Sequence, residues 1–123
     1  MEQQEKFNKA WEFKKQGERV SALGLYRELY NELVDEAGEH VRQVPGTGVD
    51  EGGTRKIMPS LFTEVEKYLK ENKNFCVILN NMGVIYAEAG DKDSARRCFV
   101  DSIKFTRDNV NYPDPKIGID NLK

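Results

Sequence analysis

Leu79-Asn80-Asn81-Met82-Gly83-Val84-Ile85-Tyr86, followed by Gly90-Asp91 and then by Ala95-Arg96-Arg97-Cys98-Phe99, is the stretch on which the fold turns. From Phe75 to about Ala89 apolar residues point nearly all round a helical wheel, so a helix here is buried on several sides. A rival reading makes Phe75–Leu79 and Val84–Tyr86 two short strands around a turn at Asn80–Gly83. The helix is carried forward. Gly90-Asp91 closes it and opens the next, with Asp91 as N-cap and Ala95, Cys98, Phe99, Ser102 and Ile103 as an inward stripe.

Upstream, Phe7, Ala10, Trp11 and Phe13 form a narrow stripe that stops near Gly17, a residue suited to a left-handed helix C-cap. Ala22, Tyr26, Leu29, Leu33 and Ala37 then fall on one line, with Leu23, Tyr30 and Val34 beside it. So wide a face predicts a helix sandwiched between neighbours. From Gly38 to Pro59 the periodicity fails, and turn-forming residues make about 42–58 read as a mobile loop. Pro59 or Ser60 opens a third helix whose Leu61, Phe62, Val65, Tyr68 and Leu69 share a face. In the tail, Asp114-Pro115 reads as an N-cap and first-turn proline of a short last helix, with Ile117, Ile119 and Leu122 covering the end of the domain.

An offset of 73 positions carries Ala10 onto Gly83, Phe13 onto Tyr86, Gly17 onto Gly90, Ala22 onto Ala95 and Tyr26 onto Phe99. Small residues at matched places let paired helices approach, and the aromatics fill the space between them. This pattern resembles the tetratricopeptide repeat, W-x-x-L-G-x-x-Y…A-x-x-x-F…P over about 34 residues. The resemblance covers 76–107 well and 3–37 weakly, leaving 38–74 as a degenerate middle unit of a single domain spanning 1–123. Leu79 stands at the family's tryptophan, Met82 at its leucine and Arg107 at its closing proline. Without that proline the fifth helix is expected to run long. In the first copy Lys6 and Lys9 replace the tryptophan and leucine.

The resemblance implies an all-α fold, in which antiparallel helix pairs stack as a short right-handed array of five to six helices. It also implies partner binding by the concave groove, here at Asn8, Trp11 and Lys15 in the first copy and Asn80, Asn81, Val84 and Glu88 in the second. Asn81 matches an asparagine that some members use to hold a peptide backbone or terminal carboxylate. The companion lysines of that clamp are absent, since Phe7 and Trp11 stand in their first-copy places.

Charge and composition narrow the function classes. Lys plus Arg number 19 against 21 Asp plus Glu, a net charge of −2, which offers no general attraction to nucleic acid or anionic lipid. No signal-like or membrane-spanning apolar run is read in the sequence, so a cytoplasmic protein is expected. Cys76 and Cys98 lie in apolar patterns without a C-x-x-C spacing and read as reduced core residues. His40 is the only histidine; with Glu36 at i, i+4 it makes too poor a ligand set for a metal. Asp91-x-Asp93 lacks the later oxygen ligands and the glycine of a calcium loop. Gly48–Arg55 lacks the lysine of a phosphate-binding loop. The expectation is a non-enzymatic protein-interaction or scaffold module without cofactor or metal, whose partner is another protein or peptide. Alternatives are a self-assembling structural unit such as a homodimer and, further off, a small-ligand or enzymatic role at the glycine-rich loop.

Overall fold

Two glycines with positive φ, Gly17 at 79° and Gly90 at 86°, end two helices in the same way. The Gly17 N–H donates to the Lys14 carbonyl and the Glu18 N–H to that of Phe13. At the second site the Gly90 N–H donates to Ala87 and the Asp91 N–H to Tyr86. These paired bonds satisfy orphan carbonyls at the helix end, and glycine adopts the required left-handed conformation without a Cβ penalty. The next helix starts alike in both copies, with Ala22 N–H donating to Glu18 and Ala95 N–H to Asp91. The 73-residue offset is therefore a repeat of backbone geometry.

The computed structural model describes residues 2–42 and 59–122, and among them finds six α-helices and no strand. They are α1 (Gln3–Lys15), α2 (Arg19–Arg42), α3 (Pro59–Glu71), α4 (Phe75–Glu88), α5 (Lys92–Lys104) and α6 (Asp114–Asn121). The strand reading of 75–86 gives way to α4, whose apolar residues meet α2, α3, α5 and α6 on different sides. The loop expected at about 42–58 falls outside the described residues apart from Arg42, which ends α2.

Packing follows the apolar stripes. Helix α2 is covered by α1, α3 and α4, and Ala22, Tyr26, Leu29, Leu33 and Ala37 are all buried. Phe7 meets Tyr26 edge-on with ring centroids 6.3 Å apart, and Tyr30 stacks on Phe75 at 5.4 Å. Lys6 joins α1 to Glu28 and Glu32 of α2. Helix α3 lies against α2, with Tyr68 over His40 at 4.7 Å, and is tied to α5 by Glu66–Lys104 at 2.9 Å.

In the second pair α5 approaches α4 at Gly83. A Cβ on Gly83 would lie 2.6 Å from the Phe99 ring, and one on Gly118 of α6 would lie 2.5 Å from it. Phe99 is thus clamped between two helices whose backbones touch its ring. Ala95, Phe99 and Leu122 form the core of this end, with Val84 and Ile119 against it.

Three expectations are corrected. Helix α5 stops at Lys104, because Phe105 turns in against Phe75 with centroids 5.0 Å apart. Just beyond, Arg107 crosses to donate to the Glu71 carbonyl at the end of α3, 2.5 Å away. Helix α6 begins at Asp114 with Pro113 in the N-cap position, so Asp114 is a first-turn residue. Ile117 is 53% exposed, since its neighbour Gly118 takes the inward position against Phe99.

The clamp makes a paired prediction. Gly83→Ala is expected to destabilise by about 1–3 kcal/mol through overpacking. Gly24→Ala, in an exposed turn of α2 where a Cβ would meet nothing, is expected to stabilise by roughly 0.5–1 kcal/mol. Urea unfolding of the two variants measures both. At the start of α5, Asp91 Oδ1 accepts from the Ser94 N–H at 3.1 Å, and the Ser94 hydroxyl together with that backbone bond holds its carboxyl below the usual range. A lowered pKa stabilises above the ordinary carboxylate value and is lost as pH falls through the lowered one. Asp91→Asn keeps the acceptor without the charge, so an acid titration by circular dichroism is expected to show a flatter decline than wild type.

Candidate functional site

On α1, Asn8, Trp11 and Lys15 recur at helical spacing along one exposed face. Asn8 accepts from the Gln4 side chain at 3.0 Å, and Lys15 pairs with Glu12 at 3.0 Å. Trp11 is 42% exposed. It lies one residue, about 100° of helix, from the buried Ala10 and so leaves the inward stripe. The Lys14 ammonium sits 4.9 Å from its ring centroid, an arrangement in which the cation is drawn to the ring's negative face.

The four α4 positions sit differently. Asn80 and Asn81 are only 6% and 7% exposed. Asn81 Nδ2 donates to the Tyr26 hydroxyl at 3.1 Å, and burial pushes that phenol upward while the amide bond opposes the shift. Val84 packs into the cluster formed by α5 and α6. Glu88 is exposed at the end of α4, where Arg19 of α2 meets it at 3.3 Å.

Residues that sequence reasoning passed over complete this region. Arg27 donates to the Tyr86 hydroxyl at 2.6 Å and lies 6.0 Å from that ring, so with Arg19–Glu88 it ties α2 to α4. Tyr112, beyond α5, is half-buried. Burial, and then the nearby Asp114 carboxylate, push its pKa up to about 12. Asn80 Oδ1 is buried and has no hydrogen-bond partner among the described residues. The alternating aromatic and charged residues of α2 and the tail carry no spacing signature for these contacts, which depend on where α4 lies.

The chemistry available is therefore divided. The asparagine amide at 81 is spent inside the protein, whereas α1 presents an accessible indole bordered by lysines. No group of three or more His, Cys, Asp and Glu side chains is placed to hold a metal ion among the described residues. None of the described helices is long and apolar enough to cross a membrane. Asn81→Ala removes the partner of a buried hydroxyl and is expected to cost about 1–3 kcal/mol. Trp11→Ala is expected to stay within about 0.5 kcal/mol of wild type, as a surface change. Urea midpoints of the two variants separate the roles.

No protein-family model, curated protein or solved structure matches the chain.

Proposed function

We propose that this protein is a protein-interaction module, a short right-handed array of tetratricopeptide-like helix pairs that binds a peptide or protein partner along the exposed face of α1. The observation that carries this reading is the exposure of Trp11. Its counterpart at the 73-residue offset is Val84, which packs with Ile119 and Leu122 of α6. In the first copy the matching side chain is larger, aromatic and accessible. An aromatic side chain held on a rigid helix loses little conformational freedom on binding, and tryptophan is among the residues that most often dominate interface energies. Lys15, Asn8 and Glu88 stand near this surface as polar rim groups that fix orientation.

A binding role also accords with the chemistry of the groups a catalyst would use. The ring of His40 packs on Tyr68, and burial holds the Cys98 thiol up at about 11, far from the lowered values of nucleophilic cysteines.

The test is affinity capture from a lysate of the source organism with wild type, Trp11→Ala and Trp11→Phe. A specific protein is expected to bind wild type, to fall at least tenfold with Trp11→Ala, and to be partly recovered with Trp11→Phe, while all three proteins melt alike. Equal retention by Trp11→Ala would remove the α1 face as the binding surface. Asn81→Ala is unsuited to this test, because its effect on Tyr26 mixes stability with binding.

A further inference from the structure

The residues three and four places from Trp11 along α1, which flank it on the helix surface, are Phe7, Asn8, Lys14 and Lys15. They comprise one ring packed inward on Tyr26, one amide and two ammonium groups, with no carboxylate. Helical side chains lean toward the N-terminus of their helix, so the two lysines, one turn later, reach back toward the indole from either side. For Lys14 the contact is direct, with Nζ 4.9 Å from the ring centroid.

Neither ammonium is firmly neutralised. Among the described residues Lys14 takes part in no ion pair. Lys15 pairs with Glu12, but both side chains are more than half exposed, at 51% and 58%, and exposed pairs are screened and weak. Glu12 itself lies one residue, about 100° of helix, from Trp11, so it borders the lysine rather than the ring. The chain as a whole carries a net charge of −2, which makes this cationic border a local feature.

A segment that covers the indole must also desolvate these ammonium groups, at a cost that paired anions offset. A basic segment would instead set like charges against both lysines. Asn81, the amide that the family resemblance assigns to a terminal carboxylate, is bonded to Tyr26. We propose that the partner segment is acidic, laying an apolar side chain on Trp11 and side-chain carboxylates on Lys14 and Lys15, without use of a free chain terminus. This inference rests on the α1 binding surface stated above and gives its partner a chemistry.

Peptide selection tests it without a known partner. A phage-displayed library of random peptides, each flanked on both sides by carrier sequence, is selected on wild type, on Trp11→Ala and on the double variant Lys14→Gln, Lys15→Gln. Peptides recovered on wild type are expected to carry more Asp and Glu than Lys and Arg around an apolar residue, and to be lost on Trp11→Ala. On the double variant the acidic excess is expected to vanish. A recovered peptide free of tryptophan, synthesised with an amidated C-terminus, is expected to change the fluorescence of Trp11, the only tryptophan, and to saturate. It is expected to bind the double variant about tenfold more weakly through lost charge complementarity, while urea midpoints stay alike. Peptides lost on Trp11→Ala but without acidic excess, an excess that survives in the double variant, or binding that needs a free terminal carboxylate would each overturn the acidic segment and leave the α1 surface standing. Peptides retained equally by Trp11→Ala would overturn the surface itself. A library that enriches nothing, or a dimer of this chain dispersed by Trp11→Ala, would give the face another occupant and overturn the acidic segment.

Discussion

Everything at the C-terminal end of this protein depends on how closely α4 and α6 approach the Phe99 ring. The ring is 1% exposed and lies against the backbones of Gly83 and Gly118, so neither position tolerates a methyl group without movement. Dense interiors resist such movement. The clamp fixes the spacing of α4, α5 and α6 together, and with it the path of the connection between α5 and α6.

The N-terminal pair uses the same scheme with a different filling. Tyr26 replaces Phe99 and Ala10 replaces Gly83, both fully buried. A tyrosine in this place needs a partner for its hydroxyl, and Asn81 supplies it. The two pairs are therefore joined by a polar contact inside an apolar seam, supported at the rim by Arg19–Glu88 and Arg27–Tyr86. The longer α2 leaves room beside its C-terminal half for α3, which reaches both α2 and α5.

The corresponding positions of the two pairs therefore sit in different surroundings. On α4, Asn81 is met by Tyr26 and Val84 by α6. Among the described residues no helix covers α1 in the same way, and Trp11 is accessible.

Periodicity and turn chemistry were enough to place the helices, because they are local. Gly17 and Gly90 mark the helix ends through their left-handed conformation, Asp91 marks a start through its bond to Ser94, and the 73-residue offset marks the two related pairs. The site was only partly legible. The choice of Trp11 rested on its place in the pattern, and its exposure was decided by how far α2 wraps around α1. Asn81 looks from its position like a binding amide, but whether it meets a ligand or Tyr26 depends on the docking of α4 against α2, a contact 55 residues apart in sequence. The turn at Phe105 and the crossing of Arg107 were set by partners on α4 and α3. The sequence by itself determined the helices and the caps at Gly17, Gly90 and Asp91, because those follow from bonds within a few residues. Only the tertiary structure decided which polar side chains are spent internally and which remain free, because burial is a property of the neighbours that packing brings together.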